Sequence, residues 1–379
     1  MPMRYACSFR TPTRPWVSVQ VDRTGLCLFD CGQPFPLEMD RQAILLFNKS
    51  FEQILDRVRK RCNQTKSLDI DKAFCHQVML HLATTGRSAW NTIGDPFDTT
   101  WNNRIGDNSD WPITITTSDF PLLWECLYPG DYDRIAAGEY EQFLGLRHNL
   151  ARAFRLGADG RAHQGFRGSR EVLFCHHNEL QHARQELAGL RSALGPDFAF
   201  CVYDELPDSA PKVELDAFFA LMKAHEYGVY HFAVHKKLDS SSPNALEAFL
   251  EITRGNKALR VPLVNLSAAQ KPGFQQNPLI FLNACKTGHS LETLFEGLSF
   301  PSVFVKWGAA AVIATVCKVP DFFAQAFASK FFQTIAEDKS LSLGDCLLRT
   351  RRYFMDTHNN PLGLAYVLYA YGDIYLKWE

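Results

Sequence analysis

The sequence predicts an α/β fold in which a largely parallel sheet carries helices on both faces. From residue 172 onward, short apolar runs alternate with amphipathic segments. The runs lie at 172–175, 198–203, 229–234, 261–266, 279–283 and 311–316. Such alternation is typical of parallel sheets, because each crossover between two parallel strands needs a helix that packs on one face.

The predicted helices follow from apolar residues that recur about every 3.6 positions. They lie at 179–194, 213–225, 245–253, 321–336, 343–355 and 361–369, with a further helix that begins near residue 290. Helices on both faces bury the strands of a parallel sheet. Arg349, Arg351 and Arg352 fall on one of these helices, and we expect them to form a solvated face.

Residues 1–165 are predicted to form an α+β region that precedes a second domain at 166–379. Short β-like runs and two helical patterns come first, and an alternating strand follows at 113–117. Residues 156–170 are rich in glycine and hold almost nothing to bury, which is typical of a surface loop or linker. We therefore place the domain boundary in this segment.

The composition predicts a globular protein without a general affinity for polyanions. Apolar residues make up 46% of the chain, which suffices for a large core, and the formal net charge is −1. Binding to nucleic acid or to an anionic membrane needs clustered Lys and Arg, so neither partner is expected. The longest apolar stretch, 309–317, is far shorter than the roughly 20 residues that span a bilayer. We expect a cytoplasmic protein.

No cofactor is expected from the sequence. The 11 cysteines have no paired spacing and are interpreted as reduced thiols. Neither a nucleotide-binding glycine motif nor a serine-hydrolase motif is present. Cys175, His176 and His177 suggest a metal site at first sight, but adjacent strand residues point to opposite faces. They are interpreted as the end of a strand, and no metal site is predicted.

Two residues at predicted strand ends carry the chemistry. The run at 229–234 stops at His235, and the run at 279–283 is followed closely by Cys285. In a parallel sheet, functional groups collect at the carboxyl ends of the strands. A histidine and a cysteine about 50 residues apart are typical of caspase-type cysteine peptidases. His231, in the middle of its strand, is given a structural role.

The motifs around these residues resemble those of the CHAT-domain peptidases, which belong with caspases and separases to one clan of cysteine peptidases. The segment His231-Phe-Ala-Val-His235 resembles the family pattern His-Phe-Ala-Gly-His-Gly, and Leu282-Asn-Ala-Cys-Lys-Thr-Gly288 resembles Leu-Ser-Ala-Cys-x-Thr-Gly. Blocks near 308–321, 340–347 and 360–373 follow in the family order. The resemblance implies a caspase-like three-layer sandwich, in which residues 113–156 belong to a further caspase-like half.

The resemblance also implies a mechanism. Cys285 would attack a peptide carbonyl and His235 would protonate the leaving amine, while the backbone N–H groups of Lys236 and Cys285 would hold the oxyanion. Asp321 is a candidate for binding a basic side chain before the scissile bond. The alternative for Asp321 is a helix cap, because a core-facing apolar stripe follows Pro320-Asp321.

The resemblance implies a regulated effector of bacterial defence or cell death. Its partner would be a protein substrate, such as a gasdermin-like pore former or another defence protein, together with an activating partner or ligand. One alternative stays open. Val234 and Lys236 replace the glycines that flank the histidine in the family, so the chain could instead be a catalytically impaired caspase-fold module that binds a peptide or a partner protein.

Overall fold

The computed structural model describes most of the chain. The described residues are 17–21, 26–29, 34–106, 111–117, 121–154, 166, 168–205, 215–224, 226–238, 248–254, 257–268, 273–284, 299–371 and 373–378. Cys285 and the start of the helix predicted near residue 290 lie outside these ranges.

The strands are named in chain order. They are β1 (Val17–Val21), β2 (Leu26–Phe29), β3 (Phe35–Pro36), β4 (Ile113–Thr117), β5 (Leu150–Ala153), β6 (Glu171–His176), β7 (Ala199–Val202), β8 (Val229–Leu238), β9 (Ala248–Arg254), β10 (Lys257–Pro262), β11 (Leu279–Ala284), β12 (Ala311–Thr315) and β13 (Tyr366–Ala370).

The α-helices are named in the same way. They are α1 (Arg41–Thr65), α2 (Lys72–Ile93), α3 (Asp95–Arg104), α4 (Tyr132–Ala137), α5 (Leu144–Arg147), α6 (Ala183–Leu194), α7 (Leu215–Ala224), α8 (Leu263–Ala268), α9 (Phe300–Lys306), α10 (Asp321–Glu337) and α11 (Leu343–His358). Within the described residues, no helix is both long enough and apolar enough to span a membrane.

One continuous sheet joins the strands in the order β10-β9-β8-β11-β12-β13-β5-β4-β1-β2-β3, and β6 pairs with both β7 and β8. The central strands β6, β8, β11 and β12 run parallel to one another. Antiparallel pairs occur where β9 and β10 follow β8, and where β13 joins β12. The predicted α/β fold with a largely parallel sheet is confirmed.

Helices cover both faces of the central strands. Neighbouring residues of β8 point to opposite faces, so His231 contacts the ring of Phe332 on α10, whereas Phe232 contacts Phe304 on α9. Helix α6 packs against α10 on the first of these faces. The strands between the two layers are buried on both sides, which explains why their sequences read as continuous apolar runs.

Two predicted helices are strands in the structure. The helix predicted at 245–253 is β9, whose residues from Ala248 to Thr253 are buried on both faces. The helix predicted at 361–369 is a short 3-10 turn, Pro361–Ala365, followed by β13. A short segment with two buried faces shows no alternation, so its apolar pattern does not distinguish a strand from a helix.

The strands on either side of residue 165 pair within the same sheet. β5 lies between β4 and β13, so the sheet runs without interruption from the region before residue 165 into the region after it. Residues 155–165, where the domain boundary was predicted, lie outside the described part of the chain. The sheet by itself does not divide the protein at this point.

Candidate active site

His235 lies in β8, and the strand that comes directly before Cys285 in the sequence, β11, is the parallel neighbour of β8. β8 and β11 pair in a register that places Val234 opposite Ala284. His235 follows Val234 in β8, and Cys285 follows Ala284, the last residue of β11. The described part of β11 therefore ends level with the residue before His235. Cys285 itself lies outside the described residues.

The strand that carries His235 is longer than the sequence predicts. β8 continues to Leu238 rather than ending at residue 234, and its last four residues form an antiparallel ladder with β9. His235 lies opposite Glu251 in this ladder, and Lys236 lies opposite Leu250. The role of the Lys236 backbone N–H as an oxyanion donor stays a prediction.

His235 is half-buried beside a second imidazole. Its ring lies edge-on to that of His177, with 4.9 Å between the ring centroids, and its Nε2 lies 3.7 Å from Glu179 Oε2. Burial lowers the pKa of His235 below its usual value, and the nearby His177 and Lys237 lower it further. The carboxylates of Glu179 and Glu251 oppose this shift. The net effect favours the neutral imidazole.

Glu251 contacts three basic side chains near His235. It forms ion pairs with Lys237 and with Arg260, the latter at 3.7 Å, and its Oε2 lies 3.3 Å from His177 Nε2. Burial raises the pKa of Glu251, but the hydrogen bond and the charge of Lys237 outweigh burial and lower it. The carboxylate thereby holds the β8–β9 ladder and the His177 ring together.

Buried side chains fix the end of β11. The Thr315 hydroxyl donates to the Ala284 carbonyl at 2.6 Å, and the Asn283 amide donates to Glu186 Oε1 at 2.7 Å. Tyr366 donates through its hydroxyl to Asn283 Oδ1 at 2.7 Å. These bonds restrict the backbone at the two residues that come directly before Cys285, because all the groups involved are buried.

His231 is part of the same buried network. Its Nε2 contacts Glu186 Oε1, and its ring is stacked between Phe174 and Phe281 at centroid distances of 5.2 Å and 5.1 Å. The side chain is fully buried. This environment agrees with the structural role that the sequence suggests for His231.

Asp321 is the first residue of α10 but does not cap that helix. The N-cap residue is Pro320, and no side chain provides a capping hydrogen bond. Asp321 Oδ2 instead accepts the backbone N–H of His182, the residue that precedes α6, at 2.9 Å. The alternative prediction, that Asp321 caps the helix, is therefore wrong. The carboxylate of Asp321 instead links α10 to the residue before α6. The role of Asp321 in binding a substrate stays a prediction.

Two further residues lie at the site: His177, which was interpreted from the sequence as the end of a strand, and Glu179, which no sequence pattern singled out. His177 follows the carboxyl end of β6, which is the parallel neighbour of β8, so it reaches the same edge of the sheet as His235. Ligand atoms of His177, Glu179 and His235 all lie within 4.8 Å of one another and could hold a metal ion. The sequence places His176 and His177 at the end of a predicted strand, but the pairing of that strand with the one that carries His235 is visible only in the structure.

The comparisons with known proteins agree with this architecture. The family model of the CHAT domain matches residues 139–363. A probable protease of Vitiosangium sp. (strain GDMCC 1.1324) is 35% identical over 104 residues, which is 27% of this chain. The matched part spans only 13% of the length of that relative.

Two solved structures are similar to this chain at low identity. The Arg-specific cysteine proteinase gingipain R is 10% identical, with a TM-score of 0.47, and the match covers 97% of this chain and 80% of that one. The separase–securin complex of Saccharomyces cerevisiae is 11% identical, with a TM-score of 0.42, and the match covers 90% of this chain and 23% of that one.

The described residues form an α/β fold, and the family model that matches the chain is that of the CHAT domain. The matched family segment makes up more than half of the chain and includes both the histidine and the cysteine motifs. The chain belongs to the CHAT domain family, and the resemblance found in the sequence is confirmed.

Proposed function

We propose that this protein is a cysteine endopeptidase that cuts a protein substrate with His235 and Cys285. The observation that carries the proposal is the register of β8 and β11, which pairs Val234 with Ala284 one residue before each group. Membership in the CHAT domain family supports the same reaction class.

The proposed reaction begins when the Cys285 sulfur attacks the carbonyl carbon of the scissile peptide bond. The neutral His235 imidazole accepts the thiol proton and later delivers it to the leaving amine. Water then hydrolyses the thioester and restores the free thiol. The backbone N–H groups of Lys236 and Cys285 would stabilise the negative charge on the carbonyl oxygen.

Three buried cysteines are poor competitors as nucleophiles. Burial raises the pKa of Cys27 and of Cys346 to about 12, and it raises the pKa of Cys75 to about 11. A thiol with such a pKa supplies almost no thiolate at neutral pH. Selective reaction at Cys285 would therefore stand out against these three buried thiols.

Labelling with a thiol-reactive peptide ketone tests the dyad. We expect the parent to be labelled at Cys285 faster than at any other cysteine, and His235→Ala to slow this labelling by about 100-fold or more, as loss of a general base does. Cys201→Ala, which removes a half-buried thiol elsewhere, is the matched control. Equal labelling rates for the parent and His235→Ala would refute the dyad.

A mixed peptide library distinguishes the peptidase from the alternative binding module. Cleavage by the parent and not by Cys285→Ala supports the peptidase. If neither protein cleaves the peptides and both retain them, the result supports a module that binds without cutting. Peptides with a basic residue at the cut test the proposed role of Asp321, because Asp321→Asn would then reduce cleavage of these peptides more than of uncharged ones.

We also propose a biological setting for this activity. The substrate would be a specific protein, such as a gasdermin-like pore former or another bacterial defence protein in the cytoplasm, and an activating partner or ligand would order the cleft. Cleavage of candidate proteins by the parent, with Cys285→Ala as the control, tests this part.

A further inference from the structure

We propose that His177, Glu179 and His235 form a binding site for a divalent transition-metal ion of the zinc type, and that the bound ion switches off His235. The site itself does not depend on the proposed function. The switch does, because it needs His235 to act in peptide cleavage.

The sheet brings the three side chains together. β6 runs parallel to β8, with His176 opposite Ala233, and the His177 backbone N–H donates to the Ala233 carbonyl at 3.0 Å. This bond holds His177 beside Val234, one residue before His235, and the two imidazole rings lie 4.9 Å apart. Glu179 lies two residues after His177, and its carboxylate oxygen Oε2 approaches a ring nitrogen of each histidine.

The distances are close to those of a metal site. Glu179 Oε2 lies 3.7 Å from His235 Nε2 and 3.9 Å from His177 Nδ1. A tetrahedral zinc ion, about 2.0–2.1 Å from each ligand, places its ligand atoms about 3.4 Å apart. The two distances to Glu179 would therefore shorten by about 0.3–0.5 Å, and the third distance, between the two imidazoles, starts within 4.8 Å. Glu179 is free to make most of this adjustment because its side chain is 70% exposed.

The contacts of His177 indicate that Nδ1 is the ring nitrogen that would bind a metal. The Glu179 backbone N–H donates to His177 Nδ1 at 3.2 Å, which places the lone pair on Nδ1 and the proton on Nε2. Nε2 faces Glu251 Oε2 at 3.3 Å. A carboxylate behind a ligating imidazole is the usual arrangement at zinc sites, where it orients the ring and raises its basicity. The metal would replace the long amide contact at Nδ1.

The set of donor atoms selects the kind of metal. Two imidazoles and one carboxylate suit zinc and similar ions, whereas calcium and magnesium prefer oxygen ligands alone. Three protein ligands leave one tetrahedral position open. Since His235 is 27% exposed, solvent can reach this side of the site. A metal on His235 Nε2 would occupy the lone pair that accepts a proton.

A zinc titration of the full chain tests the site. The Cys285→Ala variant is used so that the result does not depend on peptidase activity, and zinc binding is measured in competition with a chromophoric chelator. We expect Glu179→Gln and His177→Gln each to weaken binding by about tenfold or more, as loss of a ligand does. Glu179→His should retain affinity because it supplies a third imidazole.

His81→Gln is the matched control for this titration, since His81 pairs with Arg57 on an exposed surface of α2 away from the site. His81→Gln should bind zinc like the parent. Glu179 is exposed, so Glu179→Gln is expected to fold even if His177→Gln does not. Zinc affinity that is unchanged in Glu179→Gln, or equally weakened in His81→Gln, would overturn the site.

Peptide cleavage tests the switch in the chain that retains Cys285. Zinc at saturation should abolish cleavage, a chelator should restore it, and Glu179→Gln should raise the half-inhibitory zinc concentration at least tenfold. Full cleavage at saturating zinc would overturn the switch. If no cleavage occurs even with the chelator present, the proposed peptidase function fails, and the zinc titration still decides whether the site exists.

Discussion

Asn283 links three parts of the molecule through one buried side chain. Its amide donates to Glu186 on α6 and accepts from the hydroxyl of Tyr366 on β13. Replacing Asn283 by leucine removes a hydrogen-bond partner from both Glu186 and Tyr366. A buried polar group that loses its hydrogen bond lowers stability by about 1–3 kcal/mol. We expect Asn283→Leu to reduce the free energy of unfolding by about this amount, as measured by urea denaturation.

The control for this prediction is Gln333→Leu, a change of the same kind at an exposed position of α10. Surface substitutions usually alter stability by less than about 0.5 kcal/mol. Asn283→Leu should also slow the labelling of Cys285, because the residue lies two positions before it in the sequence. A loss of stability no greater than that of Gln333→Leu would show that the network contributes little.

We expect the carboxyl group of Asp321 to make the free energy of unfolding depend on pH. Burial raises the pKa of this carboxyl, and Glu186 adds to the shift, whereas the His182 N–H and the charges of His182 and His235 oppose it. The folded state therefore binds this proton more tightly than the unfolded state. Stability from this group is present below the unfolded pKa, about 3.9, and is lost as pH rises through the raised folded pKa.

Asp321→Asn removes this titration and keeps an oxygen acceptor for the His182 N–H. Relative to the parent, the variant should therefore gain stability as the pH rises from about 3.9. Urea unfolding of both proteins at a series of pH values gives the difference in free energy. A difference that is constant over this range, or that favours the parent as pH rises, contradicts the expected sign.

At the scale of elements, α6 and α10 approach closely where Gly189 faces Ser329. A Cβ added at Gly189 would overlap Ser329 Oγ and lie 3.0 Å from Ser329 Cβ. Gly189→Leu must therefore push the helices apart, and overpacking typically costs about 1–3 kcal/mol. Ala188→Leu on the exposed side of α6 is the control, and the midpoints of urea unfolding should differ between the two variants. Equal midpoints would show that the helices separate without cost.

The sequence predicted β8 and β11 better than the elements that surround them. β8 and β11 were recognised because each apolar run ends at a polar or small-residue segment, so His235 and Cys285 could be placed at one edge of the sheet. β9 was mistaken for a helix. Its pairing with β8 and β10 outweighs local helix propensity, and a sequence shows no such pairing.

The contacts between distant segments could not be predicted from local patterns. His177 and Glu179 were missed because their distance from His235 depends on which strands are neighbours, and sequence order does not give this. Arg351 was expected on a solvated helix face, which is wrong, because its side chain is only 1% exposed. Two of its partners, Gly145 and Glu125, lie more than 200 residues earlier in the chain.

At the scale of the whole molecule, residues before position 165 provide contacts to buried side chains that lie after it. Arg351 of α11 donates to the Gly145 carbonyl at 3.2 Å and to the Tyr366 carbonyl, and it lies 3.9 Å from the Glu125 carboxylate. Burial lowers the pKa of Arg351 to about 10. A buried guanidinium without its carboxylate and carbonyl partners is strongly destabilising.

We therefore expect that residues 166–379, expressed alone, do not fold cooperatively. The fragment would lose β5 from the edge of β13, together with Glu125 and Gly145 beside Arg351. Co-expression with residues 1–165 should restore a single sharp urea transition, because both the sheet and the ion pair are then complete. A fragment that unfolds cooperatively by itself, with the same midpoint as the full chain, would show that the domain boundary near residue 165 is also a boundary of folding.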